Sequence, residues 1–239
     1  MNVKNPSENN WDKEWKIYNK NPFFKPNKGV LKIINKCFKK KIKNKKILEL
    51  GAGSGSDIVS LAKNQAKAYA IDFSKESIIT TKYWANEKNV KVTAIKADIK
   101  KIPHKDKYFD LVYSVGLMEH FENNLKYIKE QIRVIKPKGF LIIDVPQKYT
   151  LYTIAKHIRM KLNTHPFGWE TEFSKKDLIN IAKYFKQDVY MIYGRDSDVI
   201  QKLPIILQPM CKAFFSKTIE NTFIAPYICL NIGLILKIK

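Results

Sequence analysis

The segment Ile47–Asp57, which reads ILELGAGSGSD, constrains the fold more than any other part of the chain. A short apolar run precedes glycines at positions 51, 53 and 55, and helix-compatible residues follow them. Glycine lacks a Cβ, so it adopts backbone angles forbidden to other residues and lets a ligand approach the main chain closely. The N-terminus of the next helix presents free N–H groups and a positive dipole end to the same space. The segment therefore predicts a strand, a turn and a helix that hold a polar ligand against the backbone.

The spacing of these glycines separates two classes of ligand site. A dinucleotide site uses the pattern G-x-G-x-x-G. Gly51 and Gly53 fit that pattern, but position 56 is serine. The sequence reads E-x-G-x-G-x-G from Glu49 to Gly55, with an acidic residue two positions before the first glycine. This arrangement resembles the cofactor loop of class I S-adenosylmethionine-dependent methyltransferases, which have a Rossmann-like fold.

Strand-like and helix-like segments alternate after this loop. Ser74 is a candidate N-cap for the second helix, and a long helix is expected from about Leu117 to Ile135. Alternation of this kind indicates parallel strands joined by right-handed crossovers. We predict an α/β fold: a three-layer, doubly wound sheet of about seven strands, mostly parallel, with helices on both faces. The five strands expected before residue 146 are 46–50, 67–72, 90–95, 109–114 and 140–145.

The whole chain, residues 1–239, is expected to form a single domain. Residues 1–45 form an N-terminal helical cap, in which Trp11, Trp15 and Tyr18 recur at helical spacing. Residues 46–145 form the cofactor-binding core, and residues 146–185 and 199–222 form variable acceptor-side or lid segments. We call residues 146–185 the acceptor-side segment. The family resemblance implies that the last strand, at 231–238, is antiparallel and lies between strands five and six.

Residues at the strand ends carry the remaining resemblance. Asp72 ends the second strand, where a carboxylate accepts hydrogen bonds from ribose hydroxyls, although NAD sites place an acid there too. Asp98 and Ile99 follow the third strand, in the position of the family's adenine-binding segment. Ser114 and Val115 end the fourth strand, where the family's backbone approaches the methionine part of the cofactor. The resemblance thus implies S-adenosylmethionine as cofactor, bound by Glu49, Gly51, Ala52, Gly53, Gly55, Asp72, Phe73, Asp98, Ile99, Ser114 and Val115.

In-line transfer from a sulfonium requires alignment and exclusion of water, and a base only if the acceptor must lose a proton. His120 follows strand four beside the expected methyl group and is the candidate general base, although Glu119 and His120 can instead simply orient the loop. Tyr149 and His165 are candidate acceptor contacts. No metal site is expected. The resemblance is nearest to the branch of methyltransferases that act on small molecules, quinones and lipid intermediates.

The net charge of +22 arises from 44 basic and 22 acidic residues, and only Arg133, Arg159 and Arg195 are arginine. Scattered lysines are more typical of a solvated surface than of a nucleic-acid reader, which relies on arginine. The resemblance to the branch named above implies a small or lipid-like acceptor. RNA methylation and attachment to an anionic membrane surface remain alternatives. No signal peptide or membrane span is evident, and three cysteines suggest a reduced, cytoplasmic protein.

Two further interpretations belong to other functional classes. A non-catalytic module would bind S-adenosylmethionine without transferring its methyl group to any acceptor. A dehydrogenase would bind NAD, although the serine at position 56 disfavours it. The sequence leaves the acceptor, the acceptor atom and the oligomeric state open.

Overall fold

A computed structural model of the chain describes residues 8–162, 170–195 and 229–239. Within this described part, seven strands form one sheet in the order β3-β2-β1-β4-β5-β7-β6. The predicted α/β class is confirmed. The strands are β1 (Lys46–Leu50), β2 (Lys67–Asp72), β3 (Val92–Lys96), β4 (Phe109–Val115), β5 (Ile135–Pro146), β6 (Asp188–Arg195) and β7 (Asn231–Lys237).

The first five strands pair in parallel, and β7 runs antiparallel to both β5 and β6. The last strand thus lies between the fifth and sixth strands, as the resemblance implies. The central strands are buried on both faces, which explains their continuous apolar sequence. The carboxyl ends of β1 to β4 meet at one edge of the sheet, where a doubly wound fold binds its ligand.

Helices pack on both faces of the sheet. One apolar core includes Tyr127 and Leu178, and the other includes Ile34, Ile58 and Trp84. The helices are α1 (Glu8–Tyr18), α2 (Lys28–Cys37), α3 (Ser56–Lys63), α4 (Lys75–Glu87), α5 (Asn124–Val134), α6 (Leu151–Lys161) and α7 (Lys175–Tyr184), with a 3₁₀ turn at Met118–His120. None of the helices in the described ranges is long and apolar enough to cross a membrane.

Side-chain caps fix several helix starts. The Ser74 side chain accepts a hydrogen bond from the Ser77 N–H, as expected for the N-cap of α4. Ser174 and Asp177 form a reciprocal capping box at the start of α7. Thr150 caps α6 by accepting from the Thr153 N–H. These caps follow from local sequence, because each acceptor lies three residues before its donor.

The single long helix expected from Leu117 to Ile135 is wrong. The chain makes only a 3₁₀ turn at Met118–His120, passes through the extended residue Phe121, and begins α5 at Asn124. Left-handed Gly116 precedes this turn and extended Phe121 ends it, so the helical backbone is interrupted before α5. Strand β5 also begins earlier than expected, at Ile135, because Ile135 pairs with Phe109. The predicted segment at 199–222 lies outside the described residues.

Candidate functional site

A cavity of about 490 Å³ lies at the carboxyl ends of β1 to β4, beneath α1. All the predicted cofactor residues line it except Gly55 and Ser114. The cavity is bounded by the glycine loop on one side and by the turn that carries His120 on the other. The predicted residues in its lining are Glu49, Gly51, Ala52, Gly53, Asp72, Phe73, Asp98, Ile99 and Val115.

The glycine loop takes a backbone path that requires glycine. Gly51, Gly53 and Gly55 have φ values of 64°, 53° and 68°, in the left-handed region. A Cβ at position 53 would lie 2.7 Å from the Trp15 ring, and one at position 55 would lie 2.4 Å from the Thr81 hydroxyl. Gly53 therefore faces the cavity beneath α1, whereas Gly55 faces α4 and shapes the loop without lining the cavity.

Glu49 supports the loop from strand β1. Gly55 is the N-cap residue of α3 but has no side chain to accept a hydrogen bond. The Glu49 carboxylate takes this role, accepting from the Ile58 N–H at 3.2 Å. Burial, and then the nearby Asp57 charge, raise the pKa of Glu49 well above its ordinary value. Glu49 thus replaces the missing cap and holds the helix N-terminus toward the cavity.

Asp72 connects the end of β2 to the same loop. One carboxylate oxygen accepts from the Gly53 N–H at 3.0 Å and from the Ser77 hydroxyl at 2.9 Å. The other oxygen accepts from the Ser74 N–H at 2.9 Å. Burial raises the pKa of Asp72, while these donors oppose the shift. The Phe73 N–H also donates to this carboxylate, which lines the cavity.

Asp98 and Ile99 form a contrasting pair at the end of β3. Ile99 is 6% exposed and belongs to the apolar core. The Asp98 side chain is 54% exposed and forms an ion pair with Lys100 at 3.4 Å. The Ala97 N–H donates to the Asp72 carbonyl at 3.0 Å, which keeps this segment beside the β2 end. The end of β3 therefore places the apolar side chain of Ile99 next to the accessible carboxylate of Asp98.

Helix α1 covers the cavity with Trp11 and Trp15. Their helical spacing favours packing, and the family resemblance offers a second role, an N-terminal helix that closes over the cofactor. Asp12 accepts a hydrogen bond from Ser74, the residue that caps α4. Asn19 of the following turn donates to the Glu76 side chain at 3.3 Å. The repeat of aromatic residues in a region expected to cap the core was the available signal, but spacing alone predicts packing as readily as a ligand wall.

His120 lies at the edge of the cavity. Its ring packs edge-on against Trp11, with centroids 5.4 Å apart, and the residue is 8% exposed. Gly116 leads into this turn with φ 63°, and its N–H donates to the Asp144 carbonyl at 3.0 Å. The turn is thus held by β5 from one side and by α1 from the other. Phe121 and Tyr127, which sequence reasoning missed, add aromatic surface to the same wall.

Two other predicted residues do not line the cavity. Ser114 is fully buried within β4, between Leu50 of β1 and Ile143 of β5, so its side chain does not reach the cavity. Tyr149 is 70% exposed and does not line the cavity. His165 lies outside the described residues. In the described part of the chain, no group of three or more histidine, cysteine or acidic side chains could hold a metal ion.

Comparison with known proteins gives the family context. Residues 48–143 match the family model described as a methyltransferase domain. A ubiquinone biosynthesis O-methyltransferase of Rickettsia bellii is 31% identical over 134 residues, which cover 53% of this chain and 55% of that enzyme. The enzyme of the same name from Pelagibacter ubique is 25% identical over 189 residues, covering 76% and 78%. The chain thus spans only about half the length of the Rickettsia relative.

Solved structures share the fold at low sequence identity. A methyltransferase from Thermotoga maritima, described as a possible histamine N-methyltransferase, is 14% identical with a TM-score of 0.63, covering 97% of this chain and 99% of that one. Magnesium protoporphyrin IX methyltransferase from Synechocystis, solved with S-adenosylhomocysteine, is 14% identical with a TM-score of 0.64, covering 97% and 94%. Strand order and glycine loop agree with the match of residues 48–143 to a methyltransferase domain.

Proposed function

We propose that this protein binds S-adenosylmethionine and transfers its methyl group to an oxygen of a small aromatic acceptor. The observation that carries the proposal is the cavity of about 490 Å³, which joins the glycine loop, Asp72 and Asp98 to His120. A cavity of this size holds one cofactor-sized ligand with a small reacting partner. When bound, S-adenosylmethionine supplies a methyl group on a sulfonium, already activated for in-line displacement.

The residues present fit that cofactor. Gly53 lines the cavity and lies so close beneath Trp15 that a Cβ there would be 2.7 Å from the ring. The Asp72 carboxylate lines the cavity as an acceptor for a ribose hydroxyl, and the exposed Asp98 carboxylate beside Ile99 suits an amino group on a flat ring. Trp11 and Trp15 cover the site and exclude water, which favours transfer between aligned groups.

His120 is the proposed general base. A phenol-type hydroxyl becomes a stronger nucleophile when it loses its proton, and a histidine at hydrogen-bond distance can accept that proton. The aromatic wall of Trp11, Phe121 and Tyr127 beside His120 suits a flat ring. The named relatives are ubiquinone biosynthesis O-methyltransferases, which supports oxygen as the acceptor atom and a quinone precursor as the substrate class. We also propose that the acceptor carries a lipid-like tail. The acceptor-side segment contacts this tail.

Calorimetric titration with S-adenosylmethionine, S-adenosylhomocysteine and NAD tests cofactor choice. We expect both sulfur-containing ligands to bind and NAD not to bind. Binding of NAD alone would contradict the proposal.

Transfer of labelled methyl groups to polyhydroxylated benzoates, with and without a prenyl chain, tests the acceptor class. His120→Ala should lower turnover by about 10²- to 10⁴-fold, the range for loss of general-base catalysis. His104→Ala is the matched control, because His104 stacks on Tyr108 and does not line the cavity. Equal activity of both variants would remove His120 from the mechanism, and labelling of RNA alone would overturn the small-acceptor proposal.

A further inference from the structure

A buried ammonium group lies within the acceptor-side segment, away from the cofactor cavity. Lys156 of α6 is 1% exposed, and its Nζ donates to the Glu170 carboxylate at 3.0 Å. It also forms an ion pair with Glu172. A buried charge is costly unless it is paired, so burial of the Lys156 ammonium group requires these carboxylates. Burial lowers the pKa of Lys156, but the two carboxylates outweigh this effect and raise it above its ordinary value.

The partners of Lys156 connect directly to the turn that carries His120. Thr171, between Glu170 and Glu172, donates its N–H to the Glu119 carbonyl at 2.8 Å. Two residues after Thr171, Phe173 donates its N–H to the Pro146 carbonyl at 3.1 Å, which anchors this stretch to the end of β5. The short stretch 170–173 therefore lies between α6 and the turn and contacts both.

Glu119 is a buried residue of the turn that carries His120, and the stretch 170–173 contacts it. It is 3% exposed, and its Oε2 has no hydrogen-bond partner among the described residues. Burial raises the pKa of Glu119 to about 8, and the charges of Glu170 and Asp144 add to this effect while Lys156 opposes it. Asp144 is itself paired with Arg195 of β6 at 2.6 Å. A neutral Glu119 carboxyl is consistent with a buried oxygen that lacks a donor.

We propose that Glu119 is a positioning residue for His120, and that Lys156 and Glu170 form an ion pair that joins the acceptor-side segment to the turn carrying both. The inference rests on the proposed function for the role of His120. The charge state of Glu119 determines the position of the turn that carries His120. The neutral carboxyl remains buried in the turn next to His120 in sequence, whereas ionisation adds a negative charge near Glu170 and displaces the turn.

Nuclear magnetic resonance tests this coupling without an acceptor. In protein labelled with ¹³C at glutamate carboxyl carbons and ¹⁵N at histidine, we expect Glu119 to titrate near pH 8. The ring signals of His120 should move with the same midpoint. In Glu119→Gln, which keeps the shape of the neutral carboxyl, that movement near pH 8 should be absent. A His120 signal that ignores the Glu119 titration would overturn the proposal.

Two substitutions should shift the Glu119 midpoint in opposite directions. Lys156→Met removes a positive charge and raises it, whereas Glu170→Gln removes a negative charge and lowers it. The shifts should reach roughly one pH unit, the lower end for close buried charges. Lys161→Met is the matched control, because Lys161 is exposed at the end of the same helix. Shifts of the same sign, or no shift, would contradict the role of the ion pair.

The experiment remains decisive if Lys156→Met does not fold, because Glu170→Gln leaves Lys156 paired with Glu172. Titration of each variant with S-adenosylhomocysteine separates the two proposals. Unaltered S-adenosylhomocysteine binding with an uncoupled His120 contradicts only the positioning role. Absence of binding in the wild-type protein contradicts the proposed function, while the coupling of Glu119 to His120 can still be measured.

Discussion

Replacement of Gly53 by alanine tests whether the glycine loop and α1 form one binding site. Gly53 has φ 53°, and its Cβ would lie 2.7 Å from the Trp15 ring. Left-handed backbone costs a non-glycine residue about 1–2 kcal/mol. Moving the Trp15 ring adds about 1–3 kcal/mol, the usual cost of overpacking. For a chain of this size, the backbone term alone lowers the melting temperature by roughly 2–8 °C.

The two contributions can be separated with a double-mutant cycle. In a Trp15→Ala background the ring is absent, so Gly53→Ala should cost only the backbone term. The coupling free energy between positions 53 and 15 should therefore be about 1–3 kcal/mol. Gly116→Ala is the matched control, because Gly116 has φ 63° but its Cβ would lie 3.5 Å from the nearest atom, in ordinary contact.

Urea denaturation measures the free energy of unfolding, and calorimetry measures affinity for S-adenosylhomocysteine. Displacement of Trp15, which lines the cavity, should weaken S-adenosylhomocysteine binding at least about tenfold, equivalent to about 1.4 kcal/mol. Gly116→Ala should destabilise the protein by the backbone term only. Additive effects of the Gly53 and Trp15 substitutions would refute the claim that α1 packs on the loop, and so would equal costs at positions 53 and 116.

Three further predictions concern stability. Ser74→Ala removes the cap of α4 and the donor to Asp12, and should cost about 1 kcal/mol in urea denaturation; no measurable change would contradict the capping role. Asp144→Asn leaves the Arg195 guanidinium, which is 4% exposed, without its carboxylate; we expect a loss of about 3–5 kcal/mol, and a loss under 1 kcal/mol would be inconsistent with this ion pair. Glu119 has a pKa raised from 4.5 to about 8, so the folded state retains a proton that the unfolded chain releases. Its contribution to stability therefore declines between these pH values, and Glu119→Gln should gain stability relative to wild type from pH 5 to pH 8, as measured by thermal unfolding. A constant difference across that range would argue against a buried neutral carboxyl.

Local sequence patterns determined the parallel core and its ligand edge. The glycine loop, the alternation of strands and helices, and the caps at Ser74 and Ser174 all depend on residues close together in the chain. Short-range backbone preferences and hydrophobic periodicity act over a few residues, so a sequence exposes them directly. The same reasoning placed Asp72 and Asp98 at strand ends that face one cavity.

Only the tertiary structure decided which side chains meet across that edge. Periodicity suggested one helix from Leu117 to Ile135, but the extended backbone at Phe121 divides this stretch into a 3₁₀ turn and α5. The spacing of Trp11 and Trp15 did not reveal that α1 covers the cavity, because this depends on contacts with α4 more than fifty residues away. The pairing of Lys156 with Glu170 likewise joins two segments that the sequence separates. Burial and charge pairing arise from the packed fold, and they set the protonation of Glu119 where local sequence could not.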